Sequence, residues 1–168
     1  MTEQDKKLLA FTFMYDHEGG TSYDVNDRGG LTRFGICKKQ YPDVDIANLT
    51  KELADQIYTR DYWLKNKCHL MPAPIAIVVF DSSVNCGVGS GATWLQKAIN
   101  SQGDNIKVDG VIGPMTLAKL DSCNPHNIAG KIIAYRLRRY SKLISRDPSQ
   151  RGFITSWINR AADLLEYI

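Results

Sequence analysis

Of the 18 acidic residues in this 168-residue chain, only Glu3, Glu18, Glu52 and Glu166 are glutamates. Glu3, Glu52 and Glu166 sit where a solvated helix carboxylate is the natural reading. Glu18 differs. It ends an amphipathic segment and directly precedes Gly19-Gly20, a pair that stops helices because glycine accepts the left-handed conformation past a helix end. The helix dipole presents partial negative charge at that end. This disfavours a carboxylate and favours the protonated acid, and partial burial acts in the same direction. A carboxylic acid held protonated can protonate a leaving oxygen. The alternative is an exposed helix-end glutamate with no such role. Asp24 lies six residues after Glu18, Asp27 nine and Thr32 fourteen, in a turn-rich segment that can fold back across the helix end. That arrangement sets a second carboxylate and a hydroxyl opposite Glu18, the layout glycoside hydrolysis requires. Asp24 and Asp27 can equally be Asx-turn residues.

Helices must hold this layout in place. The spacing predicts a helix over Glu3–His17, with Leu9 and Phe13 one turn apart. Between Thr21 and Ile36, turn formers give way to the alternation Thr32, Phe34, Ile36, which predicts a β-hairpin or a small three-stranded sheet. Thr50 can cap a helix running to about Asn66. A buried helix is expected over Pro74–Asn85, then a loop marked by Gly87, Gly89 and Gly91, then a helix over Ala92–Ser101. Asp109-Gly110 reads as a turn, and Pro114 suits the first turn of a helix through Leu120. Ile133, Leu137, Tyr140 and Ile144 stripe a basic helix. Ile154, Trp157, Ile158, Ala161 and Leu165 stripe the last one, which Asp147-Pro148 starts. The fold class is therefore mainly α, a helical bundle with a small antiparallel sheet near the N-terminus. It is expected to form a single domain over residues 1–168, with lobes 1–70 and 71–168.

Composition narrows the function classes. A chain that is 43% hydrophobic with net charge +3 is not disordered. The longest apolar run, Pro74–Phe80, is far short of the ~20 residues a bilayer requires, so no stable membrane insertion is expected. Met1–Lys7 is polar and no basic stretch precedes an apolar core, so the expectation is synthesis into a cytoplasm. Cys37, Cys68, Cys86 and Cys123 are widely spaced, which suits reduced, mostly buried thiols; no metal site and no cofactor are expected. Charge is uneven. Residues 1–125 hold 13 basic and 15 acidic side chains, whereas residues 126–168 hold 8 and 3. Seven cations fall between Lys131 and Arg151 against the single Asp147. Such a stretch favours an anionic partner, or is simply a solvated helix face. No nucleic-acid-binding signature accompanies it.

Among the remaining candidates, Tyr23, Phe34 and Trp63 can stack on sugar rings or pack in a core. Asn85 can hydrogen-bond an N-acetyl group or cap a helix. Asp109-Gly110 with Gly113-Pro114-Met115-Thr116 forms a turn and a helix start, with a glycan contact as the alternative.

The run Glu18-Gly19-Gly20, Asp24, Asp27, Gly29-Gly30, Thr32 and Gly35-Ile36 resembles the N-terminal signature of glycoside hydrolase family 108, the phage endolysins and related bacterial muramidases. Tyr62-Trp63, Asp81, Val84-Asn85, Gly87, Leu95-Gln96, Ala98, Asp109-Gly110, Gly113-Pro114 and Thr116 resemble the region that follows in that family, usually described as a predicted peptidoglycan-binding part. The resemblance spans roughly residues 8–165. It implies a lysozyme-like α+β fold and hydrolysis of the β-1,4 bond between N-acetylmuramic acid and N-acetylglucosamine. It further implies Glu18 as catalytic acid, with Asp27 (or Asp24) and Thr32 around the attacking water; inversion is the expected outcome, with retention the alternative that the carboxyl separation decides. Thr21 stands where the commonest family form has tyrosine, and Tyr23 follows two residues later. The partners implied are bacterial peptidoglycan and a holin that opens the membrane to a monomeric enzyme. A secreted bacterial effector of the same chemistry, a lytic transglycosylase acting on the same bond and a non-catalytic wall-binding protein are the alternatives.

Overall fold

The computed structural model describes residues 1–18 and 31–168. Helix α1 spans Glu3–Glu18. Its start is a reciprocal cap: the Asp5 amide donates to Thr2 Oγ1 at 3.1 Å, and the Thr2 amide donates to the Asp5 carboxylate at 3.0 Å. The helix buries Ala10, Phe11, Phe13 and Met14. The Gly19-Gly20 stop and most of the expected turn-rich segment, through Gly30, lie outside the described residues.

Strands β1 (Thr32–Arg33) and β2 (Ile36–Cys37) pair antiparallel, with Arg33 opposite Ile36 and Thr32 opposite Cys37. The two residues between them, Phe34 and Gly35, both have positive φ, 52° and 75°. That is the signature of a type I′ hairpin turn, whose twist matches the flanking strands. Thr32, Phe34 and Ile36 therefore do not run along one strand; the chain reverses at Phe34.

Helix α2 (Lys51–Tyr58) is capped by Thr50, whose hydroxyl accepts from the Leu53 amide at 3.3 Å. Helical backbone continues past it, widening into a π-helical stretch at Thr59–Leu64 that turns Tyr62 and Trp63 into the core. Helix α3 (Ala73–Cys86) is the centre of the molecule. Residues 75–83 are all buried, and α3 packs against α1 and two later helices, α4 (Val88–Asn100) and α6 (Pro125–Arg146). A helix apolar on every side is stable only with neighbours on every side.

The α3–α4 joint departs from the expected loop. Only Gly87 lies between the helices, with φ 94°, and Gly89 and Gly91 are inside α4. Gly91 serves packing: a Cβ there would stand 2.6 Å from the Val79 carbonyl oxygen of α3. Helix α5 covers Pro114–Leu120, after the turn at Asp109-Gly110. The Asn124 side chain caps α6 by accepting from the His126 and Asn127 amides. Helix α7 (Ile154–Asp163) follows a 3₁₀ segment over Pro148–Phe153. Its buried face carries Arg160 and Ala161, continued by Leu164, while Ile158 and Leu165 of the expected stripe are exposed. On α6 the buried face includes Arg136, and Leu137 of the expected stripe is exposed. Both helices are rotated so that an arginine points inward. All four cysteines are free thiols, and only Cys68 is fully buried. No helix among the described residues is long and apolar enough to cross a membrane.

Gly91→Ala should destabilise the protein by about 1–3 kcal/mol, because the new methyl meets a backbone carbonyl that cannot rotate away. Urea unfolding monitored by circular dichroism measures this, and an unchanged midpoint would mean that α3 and α4 separate at little cost.

Candidate active site

Glu18 is the last residue of α1, and its side chain is 21% exposed. Oε1 accepts a hydrogen bond from Arg160 Nη1 at 2.5 Å. Among the described residues Oε2 accepts none. Arg160, on α7, is almost wholly enclosed and divides its guanidinium between two carboxylates. Nη2 donates to Asp81 Oδ1 at 2.5 Å, and Nε donates to Oδ1 and Oδ2 at 3.1 and 3.3 Å. Asp81, fully buried on α3, also accepts from Arg136 Nη1 of α6 at 2.5 Å. Arg136 Nε donates to the Tyr140 hydroxyl, which donates to Asn85 Oδ1 at 2.7 Å. Two carboxylates and two guanidiniums thus alternate as Glu18, Arg160, Asp81, Arg136. A polar tail leads from there to the end of α3.

The electrostatics follow from this alternation. Burial alone would push Asp81 up, but the guanidiniums of Arg136 and Arg160 outweigh it and hold the carboxyl below its ordinary value. Burial would lower Arg160, yet Asp81 and then Glu18 raise it, so it stays charged. Arg160 thus sets a buried positive charge against Glu18 at the helix end.

A second tie fixes α1 to α7. His17, beside Glu18, lies 2.9 Å from the Asp163 carboxylate through Nε2, and its Nδ1 lies 2.9 Å from the Phe13 carbonyl. Arg160 and Asp163 are one helical turn apart, so adjacent residues of α1 engage adjacent turns of α7.

The hairpin closes the other side. A Cβ on Gly35 would stand 3.2 Å from Glu18 Oε2 and 2.5 Å from Tyr58 Oη. Tyr58 donates its hydroxyl to the Phe34 carbonyl at 2.9 Å. Burial and then the Glu18 charge push its phenol up, so it remains a donor. The hairpin turn thus lies against the Glu18 carboxylate, and glycine is required there by both conformation and space.

The expected site residues separate into groups. Glu18 lies at this edge, and Thr32 lies in β1 of the hairpin that packs on it. Tyr23, Asp24 and Asp27 lie outside the described residues. Trp63 is corrected: it has no exposed surface and packs edge-on against Phe11 and Phe80, so it cannot stack on a sugar. Phe34 packs edge-on against Tyr15. Asn85 commits its carbonyl oxygen to Tyr140, and Gly87 rather than Asn85 ends the helix. Arg160, Arg136 and the role of Asp81 escaped the sequence reading. The signal was present: each is a charged residue within an apolar face, Arg136 four residues after Ile132 and Arg160 four before Leu164.

Residues 11–87 match the family model Glycosyl hydrolase 108, and residues 90–162 match the model Predicted Peptidoglycan domain. The first match indicates a glycoside hydrolase and the second a peptidoglycan domain, the two adjoining along the chain. The solved structure of Brucella abortus SagA shares the fold, with a TM-score of 0.78 at 23% sequence identity over 98% of this chain and 96% of that one. This is the mainly-α, lysozyme-like fold with a small antiparallel sheet. A search of curated proteins finds no relative of the chain.

Because the folded Asp81 lies below its ordinary value of 3.8, its charge stabilises the fold above that pH, and the contribution is lost as pH falls through the lower folded value. Melting temperature measured against pH should fall steeply below about pH 4 in the wild type. In Asp81→Asn the profile should be flatter in that window, and the variant should be about 3–5 kcal/mol less stable at neutral pH, with the buried Arg136 left without a carboxylate and Arg160 with Glu18 alone. Gly35→Ala should lower hydrolytic activity more than stability, since its methyl displaces the turn from Tyr58 and Glu18. Assay of wall clearing beside thermal melting separates the two effects.

Proposed function

We propose that this enzyme hydrolyses the β-1,4 bond between N-acetylmuramic acid and N-acetylglucosamine in peptidoglycan, with Glu18 as the general acid. The observation that carries this reading is the placement of Glu18. It is a partly exposed carboxyl at a helix end, with one oxygen fixed by a buried arginine and the other receiving no hydrogen bond from the described residues. A general acid requires this combination of a fixed position and a reachable oxygen. Because Arg160 also answers Asp81, it orients Glu18 without being the partner of that carboxyl alone.

In this reaction Glu18 passes a proton from Oε2 to the glycosidic oxygen as the bond from that oxygen to the muramic C1 breaks. A water attacks C1 from the opposite face and gives its proton to Asp27, or to Asp24, with Thr32 helping to orient it. The product is inverted at C1, which requires carboxyls about 6.5–9.5 Å apart. The setting we propose is that of an endolysin made in the host cytoplasm and reaching the wall as a monomer once a holin opens the membrane. The family resemblance supports this setting.

Mass spectrometry of muropeptides released from purified walls tests the reading. The wild type should release fragments with reducing muramic ends. Glu18→Gln should lower the rate by about 10²–10⁴-fold while leaving the circular dichroism spectrum unchanged. Clearing by Glu18→Gln at the wild-type rate would overturn the assignment of the acid. Products ending in 1,6-anhydro rings would show a transglycosylase instead.

A further inference from the structure

A groove of about 790 Å³ lies between α4 and α6, beginning at Cys86 and Gly87 where α3 ends. Five exposed cations line it: Lys97 from α4, and Arg138, Arg139, Lys142 and Arg146 from α6. None of the five pairs with a carboxylate among the described residues. The one acid on the lining, Asp109, is already engaged by Gln96 Nε2 at 2.8 Å and the Val111 amide at 3.0 Å. Arg138, Lys142 and Arg146 follow one another at intervals of four, and like charges at that spacing destabilise a helix. Such a row is neutralised when anions occupy the groove.

The shape narrows the ligand. Arg138 to Arg146 spans about 12 Å of helix. Trp94 and Tyr135 add aromatic surface, and a Cβ at Gly87 or Gly89 would meet nothing within 4 Å, so the groove mouth is open beside them. A concave channel with spaced cations and apolar walls fits an extended chain carrying separate anionic groups; a flat membrane surface would not enter it. Helix α3 carries both a residue of the groove and a residue of the buried charge set. Asp81, which holds Arg160 against Glu18, lies five residues, about 7.5 Å of helix, before Cys86 on α3.

We propose that this groove binds the carboxylate-bearing peptide stems of peptidoglycan and so holds the wall while the glycan lies at Glu18. The proposal rests on the function proposed above and goes beyond it by assigning a second site and its chemistry.

The test measures co-sedimentation of Glu18→Gln protein, which leaves the wall uncut, with three materials. These are intact peptidoglycan, the same material with its carboxylates converted to amides, and glycan strands freed of stems by an amidase and then amidated at the lactyl carboxylates that the cut exposes. Binding to the amidated and stem-free materials should be roughly tenfold or more weaker than to intact walls, and binding to intact walls should weaken as salt rises. Adding Arg138→Gln, Arg139→Gln, Lys142→Gln and Arg146→Gln together should remove that difference, with the unfolding midpoint checking that these exposed changes leave the fold intact. The comparison of the three materials stands even if the combined variant does not fold. Equal binding to all three materials would overturn the proposal. So would unchanged binding by a folded fourfold variant, or retention on anionic vesicles or a phosphate-bearing wall polymer in preference to intact peptidoglycan. Failure of the muramidase reading is seen separately, as an absence of reducing ends from the wild type.

Discussion

Glu18, Arg160, Asp81 and Arg136 form one alternating set of charges that fixes how four helices meet. Removing four charges from water is expensive, and a buried ion pair recovers that cost only where the geometry is good and the remaining polar atoms are satisfied. Here Asp81 accepts from two arginines on two different helices, and Arg160 answers two acids on two others. The set is neutral as a whole, and removing any one member leaves the other three with a net charge. Its return is specificity of arrangement more than stability: α1, α3, α6 and α7 have one relative placement in which all four charges are met. The carboxyl proposed to do the chemistry is therefore held by a residue 142 positions away in the sequence.

The two matched families meet at Gly87, and the charge set crosses that boundary. Glu18 and Asp81 fall in residues 11–87, whereas Arg136 and Arg160 fall in residues 90–162. Taken alone, the first stretch would enclose two negative groups and the second two positive ones. Each supplies what the other requires, so the boundary in family is not a boundary in electrostatics. The hydrophobic core agrees, because α3 from the first stretch packs against α4 and α6 from the second.

How much of this was legible in the sequence depended on range. Local signals read well. The Thr50 cap, the Pro114 start and the Asp109-Gly110 turn follow from residues within a few positions of one another, and those rules are local. The errors arose where a neighbour far along the chain decided. Gly89 and Gly91 read as a loop, because glycine disfavours helix. The close approach of α3 at Val79 makes glycine the residue that fits at Gly91. Trp63 was open to a role as a sugar platform until the π-helical turn placed it among Phe11 and Phe80. For the site, Glu18 stood out by type and position, but its arginine did not, since nothing local links residue 18 to residue 160. The charge-in-apolar-face pattern of Asp81, Arg136 and Arg160 was visible; their mutual pairing required the fold.

Helix α6 shows why charge counts alone misjudge a basic segment. Arg136 and Arg138 are two residues apart, on opposite sides of the helix. Arg136 has no exposed surface, and its charge is answered by Asp81, so it contributes nothing to the field outside the protein. Arg138 is exposed and meets no carboxylate among the described residues, as do Arg139, Lys142 and Arg146 along the same helix. In the C-terminal excess of eight basic over three acidic residues, Arg136 and Arg160 belong to the buried set, and Asp163 is engaged by His17. The remaining cations are concentrated rather than spread: four of them project from α6 over one groove. A single helix thus supplies the internal charge that holds Asp81 in the buried set and the external charge that can attract an anionic chain. The two roles are separated by half a turn of backbone.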